Sequence, residues 1–255
     1  MMNNQTKSKN KLTPWLDVLA ISIWGVLMLK YWLTGELRIL IHPDYFWLVI
    51  SCAFAFIFIG IWKTAYILLT RNNPPNNDTE QHITLFKPGL SSILLIIVAI
   101  IGLTTSPKVF SSQTAIERGI TDAISLTRSK PQAFRANLKS EERTIIDWVR
   151  TLNTYPEPDA YTGQKVKVQG FVVHSPDLPK DYLLISRFVI TCCAADAYPV
   201  GLPVKLPTNQ TDYPPDIWLE IQGKMTTENL AGKRQLTIIA SSLKKIPPLP
   251  NPYEY

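Results

Sequence analysis

The sequence predicts a membrane-anchored α+β protein. N-terminal transmembrane helices are followed by a small five-stranded, β-barrel-like soluble domain of OB type, with one or two helices before it. Two observations lead there. Hydrophobic residues make up 46% of the 255-residue chain, yet the long apolar runs are confined to the first 105 residues. Beyond Tyr155-Pro156-Glu157-Pro158 the apolar spacing changes to two, the period of a strand with one buried face. The expected organisation is a membrane anchor over 1–105, a connector with helices over 106–160, and a β-rich soluble domain over 161–255.

Three runs make the anchor, at about 15–33, 45–69 and 88–107. The last, Pro88 to Pro107, holds 20 residues without a charge between Lys87 and Lys108. At 1.5 Å rise per residue about 20 residues cross a hydrocarbon core of roughly 30 Å. In Tyr45 to Leu69, Lys63 lies close enough to one end to snorkel to headgroups. Trp15 to Leu33 carries Asp17 and Lys30 near its ends, and Trp15, Trp32, Trp47 and Trp62 sit near run ends, where indoles favour the interface. Buried core helices are the alternative, which the length of the third run opposes. A cleaved leader is the alternative for the first run, which lacks a clear small-residue cleavage site and is followed by two more runs.

Basic residues near the runs orient them. With the N-terminus cytoplasmic, Lys7, Lys9, Lys11, Lys63, Arg71 and Lys87 fall inside and Lys30, Arg38 and Lys108 outside. This asymmetry favours N-in, and three spans then put the C-terminal domain outside the cytoplasm of a multi-pass protein in the cell membrane. Segment 71–81 becomes a cytoplasmic loop.

In the soluble half, Ser106 to Ser112 reads as a connector. Gln113 to Arg128 is a weak helix, because Gly119 and several threonines lower its propensity. Ser140 to Asn153 is a stronger one, with Ser140 as cap, Glu141 and Glu142 at the positive end of the dipole, and an apolar stripe of Ile145, Trp148, Val149 and Leu152. Five strands follow: Lys165 to His174, Tyr182 to Cys193, Val200 to Leu206 interrupted by Pro203, Ile217 to Lys224, and Gln235 to Leu243. Gly170 reads as a bulge or bend, and Asn229 with Gly232 as a turn. Five short strands suit an OB-type barrel or a compact sandwich, and neither fold chooses a function.

Charge excludes one class of partner. From Lys108 onward 18 Lys and Arg face 15 Asp and Glu, so the stripe that neutralises a phosphate backbone is missing and nucleic acid is not expected. Three cysteines, Cys52, Cys192 and Cys193, are no disulfide framework. No Ser-His-Asp set, phosphate-binding glycine loop or paired-carboxylate pattern stands out, so an enzyme is not favoured. His42 and His82 read as interfacial, and nothing brings His174 to the cysteines.

Chemistry concentrates in Cys192-Cys193-Ala194-Ala195-Asp196. On a regular strand the two cysteines would point to opposite faces. The following residues look like a turn, which can swing both sulfurs to one side. Thiolates suit soft ions, and Asp196 can supply an oxygen ligand or hold the turn, so Cys192, Cys193 and Asp196 form a candidate site for a soft metal or metalloid. A vicinal disulfide, strained and easily reduced, is a second reading and implies thiol–disulfide exchange. The third makes both cysteines small core residues and Asp196 a turn cap, within a structural interaction domain.

The stretch Phe188-Val189-Ile190-Thr191-Cys192-Cys193-Ala194-Ala195-Asp196-Ala197-Tyr198-Pro199-Val200-Gly201 resembles the signature of the YcgQ-like family of bacterial membrane proteins. Ser106 to Ser112 with Arg118-Gly119, Ile217 to Gly223 and the closing Pro-Tyr residues are similar too. The genes of that family often neighbour a predicted multi-pass permease of a kind suspected of exporting metals or metalloids. The resemblance thus implies a membrane-anchored accessory subunit of a permease, and it transfers no catalytic role.

Overall fold

The computed structural model describes residues 12–70, 89–120 and 139–255. Lys7, Lys9, Lys11, the loop 71–81, His82, Lys87, Pro88 and the second half of the helix expected over Gln113–Arg128 lie outside the described residues. The chain divides into two compact units, Met1–Pro107 and Lys108–Tyr255.

In the first unit, α1 (Thr13–Leu33) is followed by a single turn, α2 (Leu37–Leu40), and by α3 (Phe46–Leu69) and α4 (Leu90–Thr104). Helices α1 and α3 are long and apolar enough to cross a membrane. Their large side chains are mostly turned outward: Phe58 is 62% exposed and Trp62 64%. Such an apolar belt suits a lipid surround better than water or a packed soluble core. Helix α4 covers 15 residues, shorter than the run of 20 expected there, because Gly89 adopts a left-handed conformation and Thr105 is extended. Its length of about 22 Å falls short of the hydrocarbon thickness.

The helices of this unit meet through small residues. Gly25 of α1 faces the Ala53 carbonyl and Ile57 of α3, and Gly60 of α3 faces Ser22. A Cβ on Gly25 would come 2.9 Å from Ile57 Cγ1, so close approach needs glycine there. Polar groups are satisfied across helices: Trp24 Nε1 donates to Leu95 O (3.1 Å), Tyr31 Oη to Gly102 O (2.9 Å), and Ser92 Oγ to the Asp17 carboxylate.

In the second unit, Ser111 caps the short helix α5 (Ser112–Glu117) by accepting from Thr114 N. The helix expected over Ser140–Asn153 begins later. Ser140–Glu142 is a separate 3-10 turn, and α6 runs Ile145–Thr154. Thr144 displaces Ser140 as cap because it forms a capping box with Asp147, satisfying two otherwise orphaned backbone donors reciprocally. The apolar stripe is as expected, with Ile145, Trp148 and Val149 fully buried.

One sheet of six strands follows: β1 (Lys165–Val173), β2 (Tyr182–Val189), β3 (Tyr198–Lys205), β4 (Trp218–Leu230), β5 (Lys233–Ile246) and β6 (Tyr253–Glu254). The order is β1-β4-β5-β3-β2-β6, and the end of β1 also pairs with β2, Val172 opposite Ile185. Pairing is antiparallel except for β3 with β5 and β2 with β6.

Three details depart from expectation. Pro203 does not interrupt β3, since parallel pairing with β5 begins only at Val204 and no neighbour there needs a donor from residue 203. Gly170 keeps register in β1; its backbone passes so close to Ser186 O that a side chain cannot fit, and the bulge lies at Gln222/Gly223. Strands β4 and β5 run to a two-residue turn, Ala231 (φ 49°) and Gly232 (φ 74°), which absorbs Asn229 into β4. Helix α6 packs its stripe on β1, β2 and β3, and the core joins Trp148 and Val149 to Val168, Leu183, Ile185 and Leu202.

Candidate functional site

Strand β2 ends at Val189 rather than running to Cys193. The reason is its neighbour β6, which pairs Phe188 with Tyr253 and Val189 with Glu254 and then accepts from Ile190 N at Glu254 O (3.2 Å). Beyond Ile190 the pairing with β6 ends, the chain bends at Thr191 and Cys192, and a 3-10 turn forms at Ala194–Asp196.

Asp196 organises that bend. Its Oδ1 accepts from Thr191 N (3.3 Å) and Cys193 N (3.3 Å), and its Oδ2 from Cys192 N (2.8 Å) and the Thr191 hydroxyl. Three successive backbone N–H groups therefore converge on one carboxylate, as they do in anion-binding nests. The turn brings the two thiols together, with Cys192 Sγ 3.7 Å from Cys193 Sγ. Both cysteines are free, Cys192 exposed and Cys193 half-buried, and neither belongs to the core. The reading of the pair as core residues is thereby overturned.

The electrostatics follow from that arrangement. Burial alone would raise the Asp196 pKa, but the hydrogen bonds from Thr191 and Cys192 outweigh it and hold the carboxyl below its usual range. The same carboxylate, hydrogen-bonded to the Cys192 thiol, pushes that thiol up to about 11, with Cys193 adding to the effect. At neutral pH Cys192 is a thiol, and a bound cation would reverse the balance by stabilising the thiolate.

Cys192, Cys193 and Asp196 each offer a ligand atom, and these lie within 4.8 Å of one another. His174 is not among them: its Nε2 lies 2.8 Å from Tyr213 O. Cys52 sits half-buried in α3, and His42 Nδ1 accepts from Asp44 N.

The turn is fastened on both sides by residues that periodicity could not single out. Before it, Arg187 of β2 donates to Asn251 O, Pro252 O and Tyr253 O at 2.9–3.1 Å, and its guanidinium lies 3.9 Å from the Glu254 carboxylate. Glu254 in turn accepts from Ile146 N (2.9 Å) and Thr144 Oγ1 (3.0 Å) at the start of α6. Burial is the largest influence on both partners, lowering the Arg187 pKa and raising that of Glu254, and their mutual charge is the next, opposing it. After it, Arg118 donates to Ala197 O and lies 4.6 Å over the Phe110 ring, which packs on Phe188. The signal for Arg187 was its type, since a charge inside an otherwise apolar strand needs a buried partner; Glu254, in the two-residue β6, carried no such signal.

Comparison with known proteins gives the chain its relatives. Residues 126–255 match the DUF1980 C-terminal domain and residues 16–121 the DUF1980 N-terminal domain. The UPF0703 protein YcgQ of Bacillus subtilis (strain 168) is 29% identical over 107 residues, 41% of this chain and 37% of that protein. The aligned stretch is thus little more than a third of YcgQ. No solved structure matches. With one half of the chain matched to each of the two DUF1980 domains, it belongs to the DUF1980 family, that of the YcgQ-like proteins.

Proposed function

We propose that the protein is a membrane-anchored, ligand-binding accessory subunit of a multi-pass permease, and that its C-terminal unit binds a soft metal or metalloid through Cys192 and Cys193. The observation that carries this reading is the pair of free sulfurs 3.7 Å apart on an exposed turn rather than in the core. Thiolates suit soft ions, and the carboxylate beside them favours any cation that replaces the thiol protons. The permease partner comes from the family resemblance alone.

The rest of the proposal concerns the frame. The strand pairings β1-β2-β3-β5-β4-β1, with one parallel step, support the reading of an OB-type barrel, a fold whose surface serves many binding functions. The basic asymmetry of the sequence supports an N-in, three-span topology in the cell membrane with the C-terminal unit outside. In that topology α4 crosses with help from residues flanking Leu90–Thr104.

Thiol–disulfide exchange is the rival reading, and the thiol of Cys192 speaks against it. A group pushed up to about 11 presents little thiolate at neutral pH, whereas an exchange catalyst needs a lowered one. Calorimetric titration of the reduced full chain in detergent with Zn(II), Cu(I) and arsenite tests the proposal. One ion should bind per chain, and Cys192→Ser or Cys193→Ser should abolish it. Absence of binding by all three would refute the ligand role.

A further inference from the structure

The turn carries more than the presence of two thiols, because its geometry restricts which ion fits and how many ligands the chain supplies. A zinc ion bonded to two thiolates at about 2.3 Å, with a tetrahedral angle between the bonds, separates the sulfurs by about 3.8 Å. The observed separation, a contact between the two thiols, is 3.7 Å, close to that value. An ion that prefers two sulfurs opposite each other would need them ~4.6 Å apart at the same bond length. Reaching that separation would take one of the two side chains out of the rotamer that brings the sulfurs together.

Asp196 is a different matter. A carboxylate has about four acceptor positions; Thr191 N, Thr191 Oγ1, Cys192 N and Cys193 N occupy as many, and the Cys192 thiol bonds to the same carboxylate. An ion ligated by it would compete with the backbone donors that hold the turn. Among the described residues the turn therefore supplies two ligands, where structural zinc sites use four and catalytic ones three. Cys192 is exposed, so its side of the site is open to solvent.

We infer that Cys192 and Cys193 form an open, two-thiolate chelate for a tetrahedral divalent ion of the Zn(II) class, with Asp196 holding the turn from outside the coordination sphere. This inference rests on the soft-ion reading above. The remaining positions belong to water or to ligands of a receiving protein, which makes the site one that takes up and passes on an ion rather than one that locks it into the fold. Binding releases the two thiol protons to solvent, and no electron changes hands.

Co(II) serves as the spectroscopic probe, added to the reduced full chain in detergent. The expected result is one Co(II) per chain, with thiolate-to-cobalt charge-transfer bands and the intense visible absorption of a four-coordinate ion. Zn(II) should displace it. Added imidazole should shift the visible bands without removing the metal, because positions are open. Asp196→Asn should keep the charge-transfer bands, while Cys192→Ser and Cys193→Ser should each lose about half their intensity or all binding. A weak six-coordinate spectrum, or no response to imidazole, overturns the inference even if the Asp196 variant does not fold. So does loss of the bands in a folded Asp196→Asn protein. Should Cu(I) bind while Zn(II) and Co(II) do not, the soft-ion function stands and this inference falls. Should no ion bind, both fall.

Discussion

Replacing Asp196 by Asn removes the negative charge facing Cys192 while keeping the size of the side chain. In the native turn the Cys192 thiol is raised from 9.0 to about 11, with the hydrogen bond to Asp196 the largest cause and Cys193 the next. At pH 8 that two-unit difference lowers the thiolate fraction about a hundredfold. A more basic thiolate is also a better nucleophile, with a Brønsted slope of about 0.4–0.5, which returns a factor of roughly eight. Alkylation of Cys192 by iodoacetamide at pH 8 should therefore be up to ~10-fold faster in Asp196→Asn than in the native protein. The sign extends to pH dependence. The native rate should climb through about pH 11, and the variant should level off at lower pH. Fragment-resolved mass spectrometry of the labelled peptide gives the rate at Cys192 apart from Cys193, and circular dichroism checks that the variant is folded. Equal rates, or a faster native protein, would show that the carboxylate does not govern the thiol.

The remaining predictions concern topology, the buried clamp and the fold. An alkaline phosphatase fused after Tyr255 should be active and a cytoplasmic fluorescent reporter dark; the reverse would invert the orientation. Arg187→Ala leaves the Glu254 carboxylate buried without its partner and should cost about 3–5 kcal/mol in chemical denaturation; a loss under 1 kcal/mol would show that the pair does not fasten β6. A fragment spanning 109–255 should fold alone, with a circular dichroism spectrum dominated by strand and a minor helical part, and a mainly helical spectrum would contradict the sheet.

How much of this was legible in the sequence differs by element. The strands declare themselves by alternation, as in Val166 and Val168 on one face of β1, and α6 by its stripe of Ile145, Trp148 and Val149. Strand β6 was illegible because two residues, Tyr253 and Glu254, have no period to read. Its absence from the reading also let β2 run on to Cys193, since only the pairing with β6 and its end after Ile190 show where that strand stops. The cap of α6 was misplaced because Ser140 and Thr144 both suit the role, and the choice depends on Asp147 reaching back to Thr144. At the site, residue types suggested thiolate chemistry and a turn. The convergence of Thr191, Cys192 and Cys193 on one carboxylate is a property of backbone direction that spacing does not encode.

The central claim is that the Cys192–Cys193 turn holds a soft ion while the protein sits in its membrane. The most direct measurement is the metal content of the full chain, purified under reducing, chelator-free conditions from its native membrane and compared with the Cys192→Ser/Cys193→Ser double variant. The account predicts about one equivalent of a thiophilic ion, zinc foremost, in the native protein and none in an equally folded variant. A native protein without such an ion that takes none up when it is supplied, or a variant that retains as much, would contradict it.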